Sequence, residues 1–211
     1  MSTRQAYLYV FNTMSDWEYG YLVAELNTGR YFRKNIAPIK VTTVSAAKET
    51  VTTMGGLAIQ PDITLEECRL ESGDLLILPG GTTWREPENQ AVLERIDEAL
   101  KLGVTVGAIC GAVEALADRG ILDAVPHTSN NLDYLKMVCP NYKGEASHVQ
   151  EPAAAGGHLV TASGTAPLEF AREVLKALEV CTSDTLEAWY GLNKTQEAGY
   201  FFQLMSSVDR G

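Results

Sequence analysis

Short apolar runs rich in β-branched residues alternate along this chain with longer segments whose apolar residues recur every three or four positions. The first pattern is typical of buried strands and the second of amphipathic helices. Strands are predicted over residues 7–11, 40–44, 74–78, 104–109, 147–150 and 158–162, with a hairpin over 50–59. Helices are predicted over 17–27, from Pro87 to a stop at Gly103, over 112–118 and 131–138, after a cap at Thr165, and after Ser183.

Strands that alternate with helices predict an α/β protein with a mostly parallel sheet covered by helices on both faces. No linker or internal repeat divides the chain, so residues 1–211 are predicted to form a single domain. Sites in such sheets form at the carboxyl ends of the strands. Cys110 and the turn Pro79-Gly80-Gly81 both follow predicted strands, so we expect them on the same rim of the sheet.

Cys110 lies where the pattern changes from strand to helix, within Gly107-Ala108-Ile109-Cys110-Gly111-Ala112. A thiol at a helix N-terminus lies beside unpaired amides and the positive end of the helix dipole, which lowers its pKa. The same sharp turn exposes a nucleophile and offers neighbouring amides to an oxyanion. Cys110 is therefore predicted to be a reactive thiolate, and the alternative is a buried structural thiol.

Composition restricts the possible functions further. The chain has ordinary proportions of hydrophobic (45%) and charged (21%) residues, and its net charge of −10 argues against binding to nucleic acid. No stretch approaches the roughly 18 apolar residues of a membrane span, and the N-terminus does not resemble a signal peptide. These features predict a cytoplasmic protein without membrane association. The four cysteines lack metal-type spacing, so free thiols are expected.

Several short motifs, taken in order, resemble the ThiJ/PfpI superfamily, whose members include intracellular proteases, chaperones and glyoxalase-type enzymes. The motifs are Glu18 after the first strand, Pro79-Gly80-Gly81, Ala108-Ile109-Cys110-Gly111, His127-Thr128-Ser129-Asn130, and 161–167 leading into Phe170-Ala171. The resemblance covers about residues 5–181. It implies a flavodoxin-like three-layer sandwich, a homodimer, a cysteine nucleophile at Cys110, and no metal or organic cofactor.

The resemblance also assigns Glu18 as the carboxyl that contacts the thiol, and His127 as a downstream histidine that serves as general base. A carboxyl buried beside a thiolate should have a raised pKa, so Glu18 would donate a hydrogen bond to sulfur or relay a proton. The structural alternatives are that Glu18 is an ordinary solvent-exposed carboxylate and that His127 caps a helix or lies in the core. The amides of Gly81 and Gly111 are predicted to form an oxyanion hole, although such glycines often mark only a turn.

These residues predict a cysteine-dependent hydrolase or lyase that acts on a small aldehyde, ketoaldehyde or amide. The alternative is a thiol-based sensor of oxidative stress, or a protective protein, without turnover. An intracellular protease is less favoured because Gly111 stands where protease-type members carry a histidine directly after the nucleophile. A glutamine amidotransferase is disfavoured because the chain lacks the downstream His-Pro-Glu, and a binding module that keeps the elbow as scaffold remains a third hypothesis.

Overall fold

A computed structural model describes residues 4–210; residues 1–3 and 211, which the predicted domain included, lie outside the described part. The strands are β1 (Ala6–Tyr9), β2 (Val41–Ser45), β3 (Val51–Thr52), β4 (Ala58–Ile59), β5 (Ile63–Thr64), β6 (Leu75–Leu78), β7 (Thr105–Ile109), β8 (Ala153–Gly156) and β9 (Leu159–Ala162). The helices are α1 (Gly20–Thr28), α2 (Gln90–Glu94), α3 (Ile96–Leu102), α4 (Gly111–Asp118), α5 (Leu132–Val138), α6 (Pro167–Ala177), α7 (Ser183–Thr195) and α8 (Ala198–Arg210).

Seven strands form the central sheet, in the order β5-β2-β1-β6-β7-β9-β8. Every neighbouring pair in it is parallel except β8 and β9, which are antiparallel at one edge. Helix α6 packs on β7, β8 and β9 and against α1 and α7, while α3 and α4 also pack on β7. The predicted α/β sandwich with a mostly parallel sheet is therefore confirmed.

The core is centred on the middle strands, because helices cover them and leave no face for water. All residues of β1, β6, β7 and β9 are buried, which explains why these segments are continuously apolar rather than alternating. Gly107 in β7 leaves room for the ring of Phe170 on α6, since a methyl group at Gly107 would lie 2.9 Å from that ring. Among residues 4–210, no helix has both the length and the apolar character needed to cross a bilayer.

The strand predicted at 147–150 is wrong. Glu145–Ser147 forms a short 3-10 turn, and His148 contributes only an isolated bridge to His127. The edge strand is β8, whose register pairs Ala153 with Ala162 of β9. Its three consecutive alanines favour helix by intrinsic propensity, so only the pairing with β9 makes the segment a strand.

Three predicted helix boundaries also differ. The helix expected over 17–27 begins only at Gly20, so Glu18 lies in the loop before α1. The helix expected from Pro87 to Gly103 is divided into a 3-10 turn (Pro87–Asn89), α2 and α3, with Arg95 at the break between α2 and α3. The guanidinium of Arg95 donates hydrogen bonds to the carbonyls of Leu65 and Cys68 on a neighbouring loop. Thr165 does not cap α6, because its hydroxyl interacts with Ser163 and the capping position is Ala166.

Candidate active site

Cys110 occupies the sharp turn between β7 and α4. Its φ of 59° and ψ of −123° are unfavourable for a residue with a side chain. The turn is held by a hydrogen bond from the Cys110 amide to the carbonyl of Ala162 in β9, at 3.0 Å. This strained geometry is that of a nucleophile elbow, and it leaves the thiol partly exposed at the carboxyl edge of the sheet.

Glu18 reaches the elbow from the loop between β1 and α1. The Ser15 amide donates to the carbonyl of Gly80 at 2.9 Å, and the Gly80 amide donates to Glu18 Oε2 at 2.5 Å. The side chain is 1% exposed, and the second carboxyl oxygen, Oε1, is buried without a hydrogen-bond partner of good geometry. The loop after β1 and the end of β6 together therefore fix one carboxyl oxygen, and the other is left without a well-formed hydrogen bond.

The Cys110 and Glu18 side chains meet between two glycines. A methyl group at Gly164 would lie 2.7 Å from Cys110 Sγ and 3.1 Å from Glu18 Oε1. A methyl group at Gly80 would lie 2.7 Å from Cys110 Cβ and 2.8 Å from each carboxyl oxygen. The structure thus brings together the thiol and the carboxyl that the sequence analysis paired, in a space that requires glycine on both sides.

The two groups influence each other's ionisation. Burial raises the pKa of Glu18 from 4.5 to about 7, against the lowering effects of hydrogen bonding with Gly80, Cys110 and Ser15. Burial also raises the pKa of the Cys110 thiol, and the charge of Glu18 adds to this effect. The expected lowering of the thiol pKa, which rested on the helix terminus alone, is therefore not found. Burial of the sulfur beside a carboxylate has the opposite effect.

Asn130 is a third group at the sulfur, and the sequence analysis assigned it no role. Its Nδ2 donates to Cys110 Sγ at 3.4 Å, and this interaction lowers the pKa of the thiol. The residue lies in the loop between His127 and α5, which reaches the elbow through contacts between residues far apart in sequence. No local pattern marks such a residue, so only the fold identifies it.

The glycines predicted to form an oxyanion hole lie next to each other. A methyl group at Gly111 would lie 2.8 Å from the oxygen and 3.4 Å from the nitrogen of Gly81. The Gly111 amide hydrogen-bonds to the Cys110 sulfur and lowers the pKa of the thiol. At Gly81 a methyl group would lie 2.6 Å from the ring of Phe11, so only glycine fits there. The backbones of the two glycines are therefore in contact, and a shared role of their amides as an oxyanion hole stays a prediction.

The structure does not bring His127 into a hydrogen bond with Cys110. The ring is fully buried, with Nδ1 at 2.7 Å from the carbonyl of Val125 and Nε2 at 2.5 Å from the hydroxyl of Tyr142. It also packs edge-on against His148. Burial lowers the pKa of His127, so the imidazole is neutral near pH 7. Both nitrogens are occupied by other groups, which argues for a structural role rather than for the predicted role of general base.

The described residues, 4–210, contain no cluster of three or more His, Cys, Asp or Glu side chains suited to hold a metal ion. A groove of about 370 Å³ opens beside Asn130 and Ser163. Its walls are mostly polar and include Thr165, His148 and Lys194. Because Asn130 also donates to the Cys110 sulfur, the groove begins next to the thiol.

A flavodoxin-like sandwich with a cysteine at the strand-to-helix elbow and a buried glutamate beside it defines the structural class. The chain belongs to the DJ-1/PfpI family, whose model matches residues 4–177. This result confirms the resemblance inferred from the motifs.

Individual relatives extend the similarity over the whole chain. A Bacillus subtilis (strain 168) protein named uncharacterized protease YoaZ is 60% identical over 210 residues and covers 100% of both chains. The crystal structure of a thiJ/pfpI family protein from Bacillus anthracis has 66% sequence identity, a TM-score of 0.95 and coverage of 98% of each chain. The glutathione-independent glyoxalase DJR-1.2 of Caenorhabditis elegans is 26% identical over 143 residues, which are 67% of this chain and 74% of that protein.

Proposed function

We propose that the protein is a cysteine-dependent enzyme that converts a small, polar 2-oxoaldehyde into the corresponding 2-hydroxy acid. The observation that carries this proposal is the contact between the partly exposed Cys110 thiol and the buried Glu18 carboxyl, whose pKa is raised to about 7. A carboxyl with that pKa both accepts and donates protons near neutral pH, as general acid–base catalysis requires. A relative named as a glutathione-independent glyoxalase supports the same substrate class.

The first step forms a carbon–sulfur bond. Glu18 accepts the thiol proton of Cys110 as the sulfur attacks the aldehyde carbon, and the carbonyl π electrons move onto oxygen. The amides of Gly81 and Gly111 stabilise this oxyanion by roughly 3 kcal/mol for each donor. Proton transfer from Glu18 to the oxygen completes a neutral hemithioacetal. The raised pKa of the thiol is compatible with this step, because the proton leaves as the bond forms.

The second step is an internal oxidation and reduction. Glu18 removes the hydrogen of the former aldehyde carbon as a proton, and the electron pair moves through the new carbon–carbon double bond onto the ketone oxygen, which gives an enediolate. Glu18 then returns its proton to the adjacent carbon, and the hydroxyl proton of the former aldehyde carbon passes to the former ketone oxygen. The former aldehyde carbon is now a thioester and the former ketone is an alcohol, so no external oxidant or reductant takes part. Attack by water on the thioester then releases the 2-hydroxy acid and regenerates the Cys110 thiol.

Two other activities receive less support. Peroxide oxidises thiolates, and burial together with Glu18 holds the pKa of the Cys110 thiol above its usual value, which disfavours a fast oxidant sensor. Peptide hydrolysis by a cysteine is commonly assisted by an imidazole, whereas Gly111 follows the nucleophile and the nitrogens of His127 are bonded elsewhere. The name of the Bacillus subtilis relative keeps a protease as the second candidate.

Incubation with methylglyoxal tests the proposal. We expect the wild-type protein to form lactate, and Cys110→Ser and Glu18→Gln to form none above background. Glu18→Gln also removes a negative charge beside the sulfur, so the Cys110 thiolate of this variant should form at lower pH, as measured by absorbance at 240 nm. Loss of activity together with an easier ionisation of the thiol would assign the loss to the missing proton transfer. Equal lactate formation by wild type and Cys110→Ser would refute the proposal, and cleavage of casein only by protein with Cys110 would favour the protease.

A further inference from the structure

We propose that Asn130 is a further catalytic residue, whose side-chain amide stabilises the negative charge of the Cys110 sulfur by donating a hydrogen bond to it. The inference rests on the proposed function only in taking Cys110 as the nucleophile. Its evidence is the set of hydrogen bonds around the Asn130 amide, which fixes both the position and the orientation of that group.

The orientation of the amide follows from its other partner. The Gly164 backbone N–H donates to Asn130 Oδ1 at 2.8 Å, and Ser163 Oγ donates to the same oxygen at 3.4 Å. A backbone N–H can only donate, so the atom that faces Gly164 must be the oxygen. The NH₂ group therefore faces Cys110 Sγ, at 3.4 Å, and cannot be exchanged with the oxygen without losing the Gly164 bond.

The loop that carries Asn130 is itself fixed by buried hydrogen bonds. The Thr128 amide donates to Thr161 Oγ1 at 2.8 Å, and the Thr128 hydroxyl donates to the carbonyl of Glu151 at 2.6 Å. Thr161 belongs to β9, which pairs directly with β7 and so with the strand that carries Cys110. The donor and the sulfur are thus positioned by adjacent strands of one sheet, which is the preorganisation that charge stabilisation in a site requires.

A neutral amide has a consequence that an imidazole would not have. It donates to sulfur at every pH and removes no proton, so the proton must pass to the carboxyl of Glu18 on the other side of the thiol. Asn130 also lines the polar groove, so the residue that donates to the sulfur borders the open space next to the thiol.

Two substitutions test this role on the intact protein. Asn130→Asp keeps the shape and the acceptor for Gly164 but places a carboxylate oxygen against the sulfur, and Asn130→Ala removes the donor. A hydrogen bond to a charged group is worth enough to change an equilibrium about tenfold or more. We expect the pH at which the Cys110 thiolate forms, from 240 nm absorbance against pH corrected with Cys110→Ser, to rise by about one unit or more in both variants, with the larger rise in Asn130→Asp.

Asn131→Ala is the matched control, because it removes an amide from the next residue, whose side chain caps α5 at Tyr134 and does not contact the sulfur. Its thiol should titrate at the same pH as that of the wild type. If Asn130→Ala does not fold, as judged by circular dichroism, Asn130→Asp decides the question. A wild-type titration curve in Asn130→Asp overturns the inference. The titration needs no substrate, so a protein that forms no lactate but shows these shifts disproves the proposed function and supports the role of Asn130.

Discussion

At the scale of single residues, the sulfur of Cys110 is subject to opposing influences. Burial and the Glu18 carboxylate raise the pKa of the thiol, while the Asn130 and Gly111 N–H groups lower it. Because the thiol and the carboxyl interact directly, each measured pKa describes the pair rather than one group. Removing one group therefore changes the titration of the other. The position of one shared proton, between sulfur and carboxyl, therefore controls the reactivity of the site.

The raised pKa of Glu18 has a cost in stability that depends on pH. A carboxyl whose pKa is about 7 in the folded protein and 4.5 otherwise binds its proton more tightly when folded. Its stabilising contribution is complete below pH 4.5 and is lost as the pH rises to about 7, and the total is roughly 3 kcal/mol. Glu18→Gln cannot ionise, so this loss should be absent from the variant.

We therefore expect the stability of Glu18→Gln relative to wild type to increase by about 3 kcal/mol between pH 4 and pH 8. Urea unfolding of both proteins across this range measures the difference, and the titrating groups that do not interact with Glu18 cancel in the comparison. Arg30 and Trp189 hydrogen-bond to a different buried glutamate, Glu25. These two side chains are therefore not expected to form new hydrogen bonds at position 18 in the variant. A relative stability that stays constant with pH would contradict the prediction.

At the scale of elements, the sequence predicted what is encoded locally. The strands β1, β6 and β7 are continuously apolar, and the elbow between β7 and α4 is marked by a change of pattern around Cys110. The edge strand β8 could not be predicted, since its alanines become a strand only through pairing with β9. Asn130 was missed for the same reason, because its bond to Gly164 joins residues that are 34 positions apart.

The loop from Val125 to Asn130 gives His127 a role different from the one that sequence analysis proposed. The imidazole joins the carbonyl of Val125 to the hydroxyl of Tyr142, and the neighbouring backbone bridges to His148. These bonds anchor the start of the loop whose end carries Asn130. His127→Phe would leave the Val125 carbonyl and the Tyr142 hydroxyl, both partly buried, without their imidazole partner. An unsatisfied buried group costs about 1–3 kcal/mol.

We expect His127→Phe to lower the free energy of unfolding by about 2 kcal/mol or more while the thiol of Cys110 titrates close to its wild-type pH. Tyr142→Phe is the matched control, since it removes the partner of Nε2 and keeps the imidazole; it should destabilise the protein less and leave the titration unchanged. Urea unfolding and 240 nm absorbance measure the two effects. A large change in thiol titration with no loss of stability would instead support His127 as the general base.

At the scale of the whole molecule, a continuous hydrophobic core joins the elements. It extends from Ala6 in β1 to Leu204 in α8, and it lies on both sides of the sheet. The last two helices are closely packed, because the ring of Tyr200 lies where a methyl group at Gly191 would be. Because all elements share one core, unfolding one part of the molecule would expose apolar surface of the rest. The predicted single domain should therefore unfold in one cooperative transition.

Two of the three tryptophans, Trp84 and Trp189, lie in different parts of that core. Trp84 is 4% exposed and donates to the carbonyl of Pro79 beside the elbow, whereas Trp189 is 2% exposed and donates to Glu25 across α7 and α1. Trp17 is 52% exposed and lies by the site. Variants that keep either Trp84 or Trp189, with phenylalanine at the other two positions, therefore separate the elbow side of the sheet from the C-terminal helices.

In each variant, urea unfolding followed by fluorescence should coincide with unfolding followed by far-ultraviolet circular dichroism. Comparing two signals within one variant removes the effect of the substitutions themselves on stability. If α7 and α8 unfolded separately, the fluorescence of Trp189 would change at lower urea than the circular dichroism, while that of Trp84 would not. Such a separation would divide the chain into two cooperative units, and the site residues, all in the segment before α6, would remain folded after the C-terminal helices had been lost.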